Sequence, residues 1–120
     1  MLSEHFKRKE FECQCGCGYD TVDHELILVL EDLRVYFSRP IMINSGCRCM
    51  EYNQKVGGSA NSLHIEGKAA DIRVTGIHEN AVADYLEFMY PDKYGIGRYR
   101  YRTHIDVREN KARWDKRGEK

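Results

Sequence analysis

One α+β domain is the fold class this sequence predicts, and three observations predict it. The chain has 120 residues, enough for one core without obligatory staples. Two stretches, Val22 to Phe37 and Ala81 to Met89, carry apolar residues at helical spacing. Short β-rich runs lie between and after them with no regular βαβ alternation. Hydrophobic residues make up 42% and charged residues 32%, with two prolines, so wholesale disorder is excluded. Lys+Arg and Asp+Glu are both 19, and a net charge of +0 argues against a binder that works by neutralising nucleic-acid phosphates. No apolar run approaches the roughly 18–20 residues of a membrane span.

Taken in order, residues 1–20 read as an irregular arm with apolar anchors at Phe6 and Phe11. A helix follows, capped by Asp20 or Thr21, with Asp23 and Glu25 in an acidic first turn. Val22, Leu26, Val29, Leu30, Leu33 and Phe37 form its core-facing stripe, and Ser38-Arg39-Pro40 stops it. Residues 41–43 are a short strand that Asn44-Ser45-Gly46 turns away. A short helix over 50–56 ends at Gly57-Gly58. Residues 68–74 form a second strand, with Ala69, Asp71 and Arg73 on one face and Ala70, Ile72 and Val74 on the other. A helix over 78–90 turns Ala81, Val82, Tyr85, Leu86 and Met89 inward and ends at Pro91. Gly95-Ile96-Gly97 then turns the chain into a last strand over 98–108.

The chemistry concentrates in two places. His64 and Asp71 are an imidazole and a carboxylate suited to a zinc-like ion, and Gly67 between them lets the chain turn back. Ala69 beside Asp71 is small and leaves space for a ligand. On the last strand Tyr99, Tyr101, Thr103, Ile105 and Val107 make an apolar face, so His104 and Asp106 project together from the other. If the two surfaces coincide, they supply three ligands and a spare acid–base group, the pattern of catalytic rather than structural zinc.

Five cysteines stand apart from this. Cys13, Cys15 and Cys17 fall in Cys-Gln-Cys-Gly-Cys-Gly, and Cys47 and Cys49 in Gly-Cys-Arg-Cys. Cys-x-Cys is not the spacing of the usual zinc ribbon. Three readings are open: idle thiols, a bridge between the clusters, or a structural zinc.

Ser62-x-His64-x-x-Gly67-x-Ala69-x-Asp71, followed by His104-x-Asp106-x-Arg108, resembles the zinc D-alanyl-D-alanine carboxypeptidase family of metallopeptidases, in particular its small bacterial and phage-encoded members. The lead-in Ser45-Gly46-Cys47-Arg48-Cys49-Met50-Glu51-Tyr52-Asn53 and Val56-Gly57-Gly58 match as well, so the resemblance spans roughly residues 3–115. It implies the fold shared with lysostaphin-type peptidases and hedgehog domains: a small antiparallel sheet, helices behind and a zinc cleft in front. Residues 1–20 would then be an arm of the same domain, and 21–120 its peptidase-like body.

The resemblance also implies one catalytic Zn2+ held by His64 and Asp71. Either His104 completes the ligands and Asp106 is the general base, or the two exchange roles; the first is the expectation, since imidazole is the commoner third ligand. Arg48 occupies the family's substrate-binding position, where a guanidinium grips a peptide carboxylate, and Ser62 is a second contact. The implied partner is a peptidoglycan peptide, bound by a monomer with no nucleic acid and no membrane span. The opening Met1-Leu2-Ser3-Glu4-His5-Phe6-Lys7-Arg8 lacks the apolar region of a secretory signal. The expectation is cytoplasmic synthesis, with action at the cell wall after export by a partner or delivery in a virion. A non-catalytic zinc module and a phage structural component on the same fold are the alternatives.

Overall fold

Asp23, rather than Asp20 or Thr21, opens the first helix, α1 (His24–Phe37): its carboxylate accepts the Glu25 backbone N–H at 2.8 Å. The residue expected inside the first turn is therefore the cap. The structure, a computed structural model, describes residues 2–118. Strand β1 (Ile41–Ser45) follows, then α2 (Met50–Lys55), β2 (Ala69–Val74), α3 (Glu79–Met89), β3 (Gly95–Tyr99), β4 (Arg102–Asp106) and β5 (Ala112–Asp115). The strands form one sheet in the order β1-β2-β4-β3-β5. Every neighbouring pair is antiparallel except β3 and β5, which run parallel, so the expected antiparallel sheet is in fact mixed.

Helices and arm bury one face of this sheet. Leu26, Val29, Leu30 and Leu33 of α1 meet Ala70, Ile72, Ile96 and Ile105 of the sheet and Val82, Ala83 and Leu86 of α3 in a single core. On α3 the inward face is rotated from the expected one: Ala83 is buried, while Ala81 and Met89 are exposed. Phe6 and Phe11 are buried in the same core, each 1% exposed, which fixes an otherwise irregular arm.

The strand expected over 98–108 is two strands. Gly95-Ile96-Gly97 is not a turn but the start of β3, and the chain reverses at Arg100-Tyr101, where Tyr101 takes φ 71°. That reversal carries no glycine, asparagine or proline, which is why its residues do not announce it. It also removes Tyr99 and Tyr101 from the core face; Tyr101 is 66% exposed. Thr103, Ile105 and Val107 keep the expected side and are buried. Strand β5 has no counterpart in the sequence reading.

The arm is pinned to α1 by Glu31, whose carboxylate accepts from Ser3 Oγ at 2.5 Å and His5 N at 2.8 Å, and pairs with His5 Nδ1 at 2.5 Å. Burial alone would raise the Glu31 pKa, but these donors outweigh it and hold the carboxyl below its ordinary value. A lowered folded-state pKa stabilises above the unfolded value, and the contribution is lost as pH falls through the folded one. Glu31→Gln is accordingly expected to cost about 1–2 kcal/mol in denaturant unfolding at pH 7, and less below about pH 4. An unchanged midpoint at pH 7 contradicts this.

Candidate metal centre and cleft

Strand pairing assembles the site. In antiparallel neighbours, directly opposed residues share a face. Asp71 of β2 is opposite His104 of β4, which is opposite Gly97 of β3, which is level with Trp114 of β5. One step along, Ala69, Asp106, Gly95 and Ala112 form a second row. Four of these eight positions are alanine or glycine, so the sheet's outer face has room for large polar side chains in its centre. At Gly95 an added Cβ would run into the Asp106 carboxylate, and at Gly97 into the Trp114 indole.

The third group comes from the loop before β2. Gly67 takes φ 70°, a left-handed conformation that favours glycine, and its approach to the Thr21 backbone leaves no space for a side chain. The turn returns the chain so that His64 Nε2 lies 3.5 Å from Asp71 Oδ2. From the other side His104 Nδ1 lies 3.1 Å from Asp71 Oδ1. One ligand atom from each of His64, Asp71 and His104 falls within 4.8 Å of the others. All three residues are buried at the cleft floor.

Each imidazole has a partner behind it. His64 Nδ1 donates to the Gly46 carbonyl at 2.7 Å, which fixes the tautomer and leaves the Nε2 lone pair facing Asp71. Burial, with the positive charge of Arg48 against the raising effect of Asp71, lowers the His64 pKa to about 4. The ring is thus neutral at pH 7, as a metal ligand must be. His104 Nε2 lies 2.7 Å from Asp106 Oδ2, leaving Nδ1 on the Asp71 side. Burial opposes charge on His104, but its bonds to Asp106 and Asp71 outweigh it and raise its pKa. Two imidazoles and a carboxylate, held by outer partners and aimed at one point, fit a zinc-class ion.

Asp106 is not the free carboxylate that its letters suggested. Its side chain has no exposed surface. Beyond His104, its oxygens accept from Gly95 N at 3.1 Å, Arg108 N at 3.2 Å, and Arg108 Nε and Nη2 at 2.8 Å each. Burial would raise its pKa, yet His104 and Arg108 outweigh burial and hold it far below the ordinary carboxylate range. The missing Cβ at Gly95 makes room for this crowded arrangement.

Arg48 stands at the rim, directed by Ser45 Oγ at 3.2 Å and Asn53 Oδ1 at 3.2 Å, with Nη2 3.4 Å from Asp71 Oδ2. Ser62 also lines the cleft; its Oγ accepts the His64 backbone N–H at 3.2 Å, so part of its work is to shape the loop. The cleft has a volume of about 790 Å³. That is room for a small ligand or a short peptide segment. Arg48, Arg102, Arg108 and Lys116 line it against Asp71 and Asp106, so a net-neutral chain presents a cationic cleft.

Several wall residues escaped the sequence reading. Trp114 packs at a tilt against His104, with ring centroids 5.0 Å apart, and donates from Nε1 to Tyr99 Oη at 2.9 Å. Arg102 lies 4.1 Å over the Tyr99 ring. Buried Asn53 holds both Arg48 and the Ser59 carbonyl. The signal that was available is Gly95-x-Gly97: two side-chain-free positions at strand period mark a sheet face approached closely by something else.

The same residues carry the comparison with known proteins. No curated protein matches the chain. The profile of Peptidase M15 matches residues 4–106, a span that holds Arg48, His64, Asp71, His104 and Asp106. That match covers most of the chain, and the chain therefore belongs to the Peptidase M15 family, the zinc D-alanyl-D-alanine carboxypeptidase family of metallopeptidases that its motifs resemble.

Proposed function

We propose that this protein is a zinc-dependent metallopeptidase that hydrolyses a peptide bond of peptidoglycan, as a D,D-carboxypeptidase or as an endopeptidase. The observation that carries the proposal is the convergence of His64 Nε2, Asp71 and His104 Nδ1 on the floor of a cationic cleft. Three protein ligands are the number found in catalytic rather than structural zinc sites. A zinc ion there supplies Lewis acidity, which polarises a scissile carbonyl and makes water acidic near neutral pH.

The chain's own residues do the rest. Gly46 and Asp106 lock the tautomers of the two histidines. Arg48, oriented by Ser45 and Asn53, presents its guanidinium to a peptide carboxylate. The Ser62 hydroxyl lies in the same wall and can donate to the substrate backbone. Trp114 and the Arg102–Tyr99 pair wall off the far side. Asp106, with its oxygens taken by backbone and Arg108 donors, acts as a positioning residue through His104.

Purified zinc-loaded protein is expected to cleave peptidoglycan stem peptides, losing activity to a chelator and regaining it with zinc. Mass spectrometry of the products identifies the bond. No cleavage by zinc-replete protein defeats the proposal.

Arg48→Ala is expected to raise KM roughly 10–100-fold for substrates with a free C-terminal carboxylate, the worth of one charged hydrogen-bond pair. Amidated substrates should feel the change far less. Equal losses on both, at unchanged zinc content, would remove Arg48 from substrate binding.

A further inference from the structure

We infer that the chain holds a second metal site, a closed four-thiolate zinc centre made by Cys13, Cys15, Cys17 and Cys49. The sulfurs of these four residues lie within 4.8 Å of one another although one of them comes from 32 or more positions along the chain. Cys13 and Cys15 are 3.5 Å apart, Cys13 and Cys49 3.8 Å, and Cys15 and Cys49 3.7 Å. Zinc–sulfur bonds of about 2.3 Å at tetrahedral angles place sulfurs about 3.8 Å from each other. All five cysteines are free thiols, so no bridge accounts for the cluster.

The local backbone is shaped for this convergence. Alternate residues of a strand cannot meet at a point, because they stand in a row along one face. Here Gly16 at φ 86° and Gly18 at φ 89° curl the segment instead, and Cys13 N donates to the Tyr19 carbonyl to close it at 2.7 Å. Backbone amides then point at sulfur: Cys49 N at 3.4 Å from Cys13 Sγ, and Tyr52 N at 3.4 Å from Cys49 Sγ. Such N–H···S contacts are the outer-shell support expected of thiolate ligands. Cys47 does not take part, since its Sγ turns away and donates to the Tyr19 carbonyl at 2.9 Å.

Four soft anionic ligands with no protein cation among them select a soft divalent ion in tetrahedral geometry, and four protein ligands leave no position for water. The role is therefore structural. Cys49 adjoins Arg48 and caps α2, so the ion would clamp the arm to the segment that carries the cleft's guanidinium. Cys-x-Cys spacing, unlike that of zinc ribbons, hides the site in the letters.

The test uses the full chain, purified under reducing conditions with zinc. The wild type should carry about two zinc ions, and the His64→Ala/Asp71→Ala variant about one. Cobalt loaded into that variant should give the intense thiolate-to-metal charge-transfer absorption of tetrahedral sulfur ligation. Cys15→Ser and Cys17→Ser, both at exposed positions, should weaken that absorption, while Cys47→Ser should leave it intact. A His64→Ala/Asp71→Ala variant with no bound zinc and no thiolate absorption overturns the inference, as does an absorption that survives Cys15→Ser and Cys17→Ser unchanged. Wild type and this double variant with equal zinc content would instead fail the cleft site and leave the cysteine site standing.

Discussion

Asp71→Ala is expected to leave the cleft without its metal and without hydrolysis. The carboxylate faces His64 at 3.5 Å, His104 at 3.1 Å and Arg48 at 3.4 Å. Burial would raise its pKa, yet His104 and His64 outweigh burial and lower it, so it is an anion at neutral pH. Removing it deletes a ligand and also leaves the Arg48 guanidinium without its counter-charge in the cleft. The loss of metal affinity should exceed the roughly 10–100-fold that an outer-shell partner costs. Without Lewis acidity worth about 4 kcal/mol, kcat/KM should fall roughly 10³-fold or more. Zinc analysis and stem-peptide turnover measure both. A variant that keeps wild-type metal content and rate shows that Asp71 is not a ligand.

Asp106→Asn is the second large effect, and it separates two roles. The carboxylate accepts from His104 Nε2, from Gly95 N and from three Arg108 donors. An amide of the same shape has one acceptor oxygen and a donor in place of the other. If that donor faces His104 Nε2, the ring must accept there and carry its proton on Nδ1, the atom directed at Asp71. Nδ1 then offers no lone pair to a metal. Zinc affinity should fall about 10–100-fold, and kcat at limiting zinc should follow it. Excess zinc should restore most of the rate. A general base behaves differently: its loss lowers kcat roughly 10²–10⁴-fold with zinc affinity unchanged and no rescue. That second pattern would return Asp106 to the base role its sequence position suggests.

How far the letters reached depends on the range of the interaction involved. The faces of β2 and β4 were legible because strand periodicity is a local property: Ala70, Ile72, Thr103 and Ile105 are buried, and Asp71 and His104 share the opposite face. The arm's anchors, Phe6 and Phe11, were legible as lone apolar residues in a polar stretch. The Arg100-Tyr101 reversal was not, because Tyr101 holds a left-handed φ that only the surrounding sheet can impose. Strand β5 was hidden for a similar reason. Ala112-Arg113-Trp114-Asp115 alternates apolar and polar over only four residues, too short a run to mark a strand, and is placed by pairing to β3 and by Arg113, whose guanidinium caps the Tyr90 and Tyr94 carbonyls at 2.6 and 2.7 Å. The occupied state of Asp106 needed Gly95 and Arg108 to be placed in space, and no spacing rule supplies that.

No helix among the described residues is long and apolar enough to cross a membrane. The cationic rim of the cleft attracts anionic groups such as carboxylates.

A crystal structure of the zinc-soaked protein, phased on the anomalous signal of the metal, would locate the ion. It should be bound by His64 Nε2, an Asp71 oxygen and His104 Nδ1, with Asp106 still on His104 Nε2. An ion bound to Asp106, with His104 released towards the cleft, would contradict that ligand set.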